Sequence, residues 1–136
     1  MKLDLKQHLK EMISAPGLSG YETPIREIIR TAWQPLSDEI RVNNLGSLQA
    51  IQCGEGPEPR SSVMIAAHMD AIGLMVTGID EGFLRFMQVG GVDPRILPGQ
   101  MVTVHATNAE VARNLPAMVV MPPAALLPKD GNSGPL

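Results

Sequence analysis

The spacing of apolar residues changes from a helical period to a period of two near residue 39. Residues 4–14 carry apolar side chains three and four positions apart, which predicts a short amphipathic helix ended by Ala15-Pro16-Gly17. A second helix is predicted with Thr23 as its cap and Pro24 at its first helical position, and Pro35 ends it. The chain is therefore expected to begin with two helices that pack on a sheet.

The rest of the chain is predicted to be mainly β. Alternation begins at Glu39, and Asn44-Leu45-Gly46 turns the chain into a strand near Ser47–Gln52. After a breaker-rich loop, the unbroken apolar run Val63–Ala67 is typical of a strand that is buried on both faces. Four more strands are predicted by similar patterns: Gly73–Gly78, Phe83–Val89, Met101–His105 and Ala117–Met121. The first two of these flank Ile79-Asp80-Glu81-Gly82 and are expected to form a hairpin.

This order of elements predicts an α/β fold with a change of character near residue 74. Residues 1–73 are expected to form the amino-terminal part of a mixed-sheet α/β domain, and residues 74–136 a β-rich region. The Pro- and Gly-rich end after Met121 is interpreted as a linker to a further segment, with a frayed terminus as the alternative.

Charge and composition limit the class of protein. A formal net charge of -3 and a pI near 5.5, without a basic run, give no reason to expect a nucleic-acid partner. No apolar run is long enough for a membrane span, and the charged first residues do not resemble a signal peptide, so we expect a cytoplasmic protein without a membrane partner. The single cysteine, Cys53, has no cationic neighbour in the sequence and is interpreted as a bystander.

The segment His68-Met69-Asp70 is the group most suited to chemistry. It follows the predicted buried strand, and residues two apart in extended chain point to the same side. A neutral imidazole is a good ligand for Zn or Co, and a nearby carboxylate can orient it. By itself the pattern is weak, because a lone histidine is more often a structural hydrogen-bonding group. For His8 and His105 the surface or hydrogen-bonding interpretation is preferred.

Four segments resemble the tetrahedral (TET-type) glutamyl or deblocking aminopeptidases, some relatives of which carry cellulase or endoglucanase names. They are Leu18-Ser19-Gly20-Tyr21-Glu22, Ala67-His68-Met69-Asp70-Ala71-Ile72-Gly73-Leu74-Met75-Val76, Gly82-Phe83-Leu84-Arg85-Phe86 and Val89-Gly90-Gly91-Val92-Asp93-Pro94-Arg95-Ile96-Leu97-Pro98-Gly99-Gln100. The segments keep the family's order and spacing and cover most of residues 17–104. The chain is therefore similar to the amino-terminal portion of these two-metal peptidases.

The resemblance implies that His68 binds one of two catalytic metal ions, Zn or Co, and that Asp70 is the catalytic-site residue that steers it. The family's other ligands and its general base are not among these segments, so the chain is expected to hold at most one partial site. Residues 74–136 resemble the start of an inserted, barrel-like β domain that mediates dimerisation. The expected partners are short peptides and further copies, with dimers assembling into a tetrahedral dodecamer.

Two departures from the family leave the substrate preference open. The family commonly has Glu where this chain has Ala71, and Asp with a following Gly-Asn where this chain has Asn44 and Gly46-Ser47. The run Gly90–Gln100 is interpreted as a structural set of turns in which Asp93 and Arg95 pair locally.

Three functions follow from these observations. The first is a metal-dependent aminopeptidase that removes amino-terminal residues from short peptides, present here as an incomplete chain. The second is a truncated or non-catalytic interaction module of the same family. The third is a glycoside hydrolase, which would need two suitably placed carboxylates that the sequence does not reveal.

Overall fold

The computed structural model describes residues 4–106 and 113–121, and the chain divides into two compact units between Ile72 and Gly73. Among these described residues, the first unit contains two α-helices and one β-hairpin, and the second contains two β-hairpins. Within the described residues, no helix combines the length and apolarity needed to cross a bilayer. The assignment of these units to domains of a larger enzyme stays a prediction.

Helix α1 spans Leu5–Ser14 and confirms the helix predicted for residues 4–14. It begins where it does because the Asp4 side chain accepts hydrogen bonds from the main-chain N–H groups of Lys6 and Gln7, at 3.0 and 3.1 Å. These donors have no partner inside the helix, so the carboxylate caps its first turn. The helix ends at Ser14, and the extended backbone of Ala15 leads into Pro16.

Helix α2 spans Thr23–Trp33, one residue earlier than the sequence predicts. Thr23 is its first helical residue rather than its cap, and the Thr23 hydroxyl accepts a hydrogen bond from Arg26 at 3.1 Å. A single 3₁₀ turn, Gln34–Leu36, then carries Pro35 and ends the helical segment. Ile25, on the first turn of α2, is only 5% exposed and is the buried apolar side chain of this unit among the described residues.

The first β-hairpin confirms the change of period at residue 39. Strand β1, Glu39–Val42, pairs antiparallel with β2, Leu48–Ile51. The Asn43 side-chain oxygen accepts from the main-chain N–H groups of Leu45 and Ser47, which closes the connecting turn. Gly46 supplies the positive φ of +86° that this turn requires.

The sequence prediction for Val63–Ala67 was wrong: this run is not a strand and is not buried. Val63, Met64 and Ile65 are 90%, 89% and 94% exposed, and the segment has no regular secondary structure. A strand buried on both faces needs hydrogen-bonding neighbours and covering layers. The three sheets of the described residues are each two-stranded, and none contains this run. Among the described residues, the run therefore has no neighbouring strand with which it could form a sheet, although its composition is apolar.

The described part of the second unit contains two antiparallel hairpins. Strands β3, Gly73–Asp80, and β4, Phe83–Val89, confirm the predicted hairpin and extend its first strand by two residues. Its turn needs only Glu81 and Gly82, both with positive φ (+48° and +85°), which is the backbone twist that two-residue hairpin turns favour.

The last hairpin differs from the prediction in its second strand. Strand β5, Met101–Ala106, matches the predicted position, whereas β6 spans Arg113–Met118 instead of Ala117–Met121. Pro116 is tolerated inside β6 because a strand of a two-stranded sheet has a free edge. Beyond β6, the main chain of Val119 bonds to Gly99 and Gln100, and its side chain is 8% exposed.

The run from Gly90 to Gln100 contains the predicted turns. Asp93 precedes a 3₁₀ turn at Pro94–Ile96, and its carboxylate accepts from both the main chain and the guanidinium of Arg95. This confirms their local pairing. The Arg95 hydrogen bonds hold the pKa of the Asp93 carboxyl below its ordinary value. The predicted linker after Met121 lies outside the described residues.

Candidate functional site

His68 and Asp70 lie in an irregular segment of the first unit, and the structure brings their side chains together. The Nδ1 atom of His68 lies 3.0 Å from Oδ1 of Asp70 and 3.1 Å from the Asp70 main-chain oxygen. The imidazole side chain is 86% exposed, whereas that of Asp70 is 39% exposed. The ring therefore projects into solvent, whereas the carboxylate that it contacts is half-buried.

This contact determines which nitrogen of His68 is available. An ionised carboxylate and a carbonyl oxygen only accept hydrogen bonds, so Nδ1 is the nitrogen that carries the proton when it contacts them. The Nε2 atom of a neutral ring then has a free lone pair. A metal ligand needs such a lone pair, and a carboxylate partner on the other nitrogen is the usual means of orienting it.

A third residue, Ser19, belongs to the same group. Its hydroxyl donates to Oδ2 of Asp70 at 2.6 Å, across 51 positions of sequence. This hydrogen bond holds the pKa of the Asp70 carboxyl below its ordinary value, and the hydrogen bond with His68 lowers it further. Asp70 is therefore kept in the ionised form that can accept from both partners.

The Ser19 contact depends on main-chain pairing between two distant segments. Leu18 and Ala71 form an isolated parallel β-bridge, in which the Ala71 N–H donates to the Gly17 carbonyl at 2.7 Å. Gly17 is buried, and a Cβ atom there would lie 3.0 Å from Cγ2 of Ile25. The absence of a side chain at Gly17 therefore allows the loop after α1 to approach both α2 and the segment that carries Asp70.

Sequence reasoning did not assign Ser19 a place in the site. Its segment, Leu18–Glu22, was recognised only as part of the family resemblance. In the structure the Glu22 carboxylate accepts from the Gly20 N–H at 2.7 Å and makes no capping bond to α2. The one sequence signal for a role in the site was that Ser19, a hydroxyl residue, lies in a segment that resembles the family.

The other histidines do not join this group. His8 lies on α1, and His105 lies on β5, where its Nδ1 contacts the side-chain oxygen of Asn114 at 2.8 Å. Within residues 4–106 and 113–121, no three His, Cys, Asp or Glu side chains converge as a metal site would require. The described residues therefore offer one oriented imidazole and its carboxylate.

Cys53 is a free, exposed thiol. Its main-chain N–H donates to the carboxylate of Asp38 at 2.6 Å, and its side chain is not part of the group around Asp70. Its interpretation as a bystander stays a prediction.

Comparison with known proteins identifies the family. The M42 glutamyl aminopeptidase family matches residues 46–124. The lysyl aminopeptidase of Pyrococcus furiosus is 39% identical to this chain over 104 residues, which is 75% of this chain and 29% of that protein. The chain thus spans less than a third of this curated relative.

Solved structures show the same kinship. The TET aminopeptidase of a marine-sediment Thaumarchaeota archaeon matches 96% of this chain and 35% of its own, with a TM-score of 0.77 and 29% identity. A structure of Thermotoga maritima described as an endoglucanase matches 71% of this chain and 30% of its own, with a TM-score of 0.65 and 38% identity. The mixed α/β character of the described residues is therefore that of TET aminopeptidase structures. On the family match and these likenesses, the chain belongs to the M42 glutamyl aminopeptidase family.

Proposed function

We propose that this chain contributes part of the active site of a metal-dependent aminopeptidase that removes amino-terminal residues from short peptides. The observation that carries the proposal is the 3.0 Å contact between Nδ1 of His68 and Oδ1 of Asp70. Membership of the M42 glutamyl aminopeptidase family supports the same activity.

In this proposal His68 is a ligand of a divalent metal ion, Zn²⁺ or Co²⁺, one of two in the full-length enzyme. The residues fit that role for one coordination position: the Nε2 lone pair is free, the ring is exposed, and Asp70 fixes its direction. The other positions would be filled by ligands beyond the described group, because no larger cluster occurs among the described residues.

The chemistry divides between the ion and the chain. A bound divalent ion would supply Lewis acidity and lower the pKa of a water molecule. The residues of this chain position and polarise the ligand: Asp70 holds the proton on Nδ1 of His68 and directs Nε2 outward, and its negative charge makes the imidazole a stronger donor. Among the described residues, the side-chain oxygens of Asp70 have the His68 ring and the Ser19 hydroxyl as hydrogen-bond partners, so we assign Asp70 positioning rather than proton transfer to substrate.

The same proposal includes the wider setting of the enzyme. Residues 1–73 would belong to the catalytic α/β domain and residues 74–136 to an inserted β domain that mediates dimerisation, with dimers forming a tetrahedral assembly. The two-stranded hairpins of the second unit, whose outer strand edges have no partner strand among the described residues, support a role in association. A cytoplasmic location is compatible with the free, exposed Cys53 thiol.

A chimera tests the activity directly. The matching 104 residues of the Pyrococcus furiosus lysyl aminopeptidase are replaced by those of this chain. The measurement is the release of free amino acid from short peptides, with Zn²⁺ or Co²⁺ added and after chelation. We expect amino acid release to depend on the added metal. Mutation of a hydrogen-bond partner of a metal ligand typically lowers activity roughly 10- to 100-fold, and we expect His68→Gln, which removes the ligand itself, to lower the rate of release by more than that.

His105→Gln is the matched control, because it removes an exposed imidazole whose hydrogen-bond partner is Asn114 and not Asp70. Circular dichroism and size-exclusion chromatography verify that each chimera is folded. Equal metal-dependent activity of the folded His68→Gln and His105→Gln chimeras would refute the assignment. Release of sugar from a glucan without added metal would instead favour glycoside hydrolysis, as the name of the Thermotoga maritima structure suggests for that protein.

A further inference from the structure

The loop that follows α1 is attached to the segment that carries the candidate ligand. Ala71 donates its main-chain N–H to Gly17 at 2.7 Å, one residue beyond Asp70, and Leu18 pairs with Ala71 as a parallel bridge. Ser19 is the next residue of this loop. The main-chain pairing by itself therefore brings Ser19 close to Asp70.

The loop has its own hydrogen bonds that fix the Ser19 position. The Tyr21 N–H donates to the Leu18 carbonyl at 2.7 Å, which closes a turn around Ser19 and Gly20. Gly20 adopts a φ of +88°, and its N–H is held by the Glu22 carboxylate at 2.7 Å. Ser19 thus sits in a closed turn rather than in a freely moving loop.

The two oxygens of the Asp70 carboxylate have different partners. Oδ2 accepts from the Ser19 hydroxyl at 2.6 Å, and Oδ1 lies 3.0 Å from Nδ1 of His68. The torsion that rotates an aspartate carboxylate is broad and roughly two-fold, so one hydrogen bond leaves its orientation loosely defined. Partners on both oxygens define the plane of the group and therefore the direction in which Oδ1 faces His68.

We propose that Ser19 is a positioning residue of this site. Its hydroxyl fixes the Asp70 carboxylate, which in turn keeps the proton of His68 on Nδ1 and leaves Nε2 free to bind a metal ion. The physical reason is that the His68 side chain is 86% exposed, so little packing holds the ring and its orientation depends mainly on hydrogen bonds. The inference deepens the proposed function, on which its metal-binding consequence rests, but its effect on the imidazole needs no metal.

The first test measures the imidazole itself. The whole chain is prepared with ¹⁵N-labelled histidine, and NMR in mildly alkaline buffer identifies which ring nitrogen of His68 carries the proton. In the unsubstituted chain we expect the His68 proton on Nδ1. Ser19→Ala should give a mixture of the Nδ1–H and Nε2–H tautomers, and Ser19→Thr, which keeps the hydroxyl, should restore the Nδ1–H tautomer. His105 provides an internal reference, because its Asn114 partner is unaffected by these changes.

A purely structural role for Ser19 would not produce this pattern. If Ser19 only stabilised the loop, Ser19→Ala would reduce stability while folded molecules kept the parent tautomer of His68. An unchanged tautomer in folded Ser19→Ala, verified by its backbone amide spectrum, would therefore overturn the inference. The same spectrum reveals any loss of the Gly17–Ala71 pairing, so a misfolded variant is recognised and replaced by Ser19→Cys, in which a weaker donor should give an intermediate mixture.

The second test measures Zn²⁺ affinity in the folded chimera described above, by competition with a coloured chelator. We expect Ser19→Ala to weaken binding roughly 10- to 100-fold, as is usual for outer hydrogen-bond partners of a ligand, and Ser19→Thr to restore it. Ser19→Ala could change the His68 tautomer while His68→Gln leaves Zn²⁺ binding intact. That result would support the role of Ser19 but contradict the proposed function. Alternatively, Zn²⁺ binding could depend on His68 while Ser19→Ala changes neither the tautomer nor the affinity. That result would overturn the role of Ser19 and leave the proposed function standing.

Discussion

The main-chain N–H of Ala71 donates to the carbonyl oxygen of Gly17 across 2.7 Å, and this bond joins two segments that are more than fifty positions apart. It lies directly between the turn that carries Ser19 and the segment that carries Asp70. The candidate ligand group is therefore held together by backbone pairing as well as by side-chain contacts. Disturbing the backbone should affect the site without changing any of its functional atoms.

Gly17→Val should destabilise the first unit. The first added carbon would lie 3.0 Å from Cγ2 of Ile25 and 3.6 Å from the Met69 carbonyl oxygen, and the branched side chain adds further crowding. Because Ile25 is buried, relief requires shifts of α2 or of the Met69 segment, at about 1–3 kcal/mol of unfolding free energy. Urea denaturation followed by circular dichroism measures this loss. Gly56→Val is the matched control, since nothing lies within 4 Å of its Cβ position; equal losses would contradict the packing argument.

The acid sensitivity of the second unit should depend on Asp93. Its pKa is lowered in the fold by hydrogen bonds from Arg95, so the stabilisation that it contributes is complete above the ordinary aspartate pKa of about 3.9. The contribution is lost as the pH falls through the lowered pKa. A carboxyl-carbon NMR titration should therefore give a midpoint below about 3.9 for Asp93. Arg95→Gln should move that midpoint upward; an unchanged midpoint would show that Arg95 is not the cause.

The exposed run Val63–Ile65 should make the isolated chain self-associate. These three side chains are 90%, 89% and 94% exposed and adjacent, and such apolar segments drive association when no other element covers them. The double variant Met64→Lys/Ile65→Lys should lower the average mass measured by sedimentation over a range of concentrations. Ser61→Lys/Ser62→Lys adds the same charge to the neighbouring exposed residues and is the control. If both variants reduce association equally, net charge rather than the apolar run is responsible.

Local structure was largely predictable from the sequence. The periodicity of α1, the change of period at β1 and the hairpin formed by β3 and β4 were all recognised, because each depends on residues that are close in the chain. Boundaries moved by one or several residues, as at Thr23 and in β6. The pairing of His68 with Asp70 was also accessible, since residues two apart in extended chain share a side.

The sequence by itself determined the two helices, the first two hairpins, the family resemblance and the candidate ligand with its orienting carboxylate. Only the tertiary structure decided that Ser19 completes this group and that Val63–Ala67 is exposed. The physical reason is the same in both cases: contacts between distant segments depend on the path of the whole chain and on which partners are available. An apolar run becomes a buried strand only beside other strands, and a serine positions a carboxylate only when the backbone brings the two together.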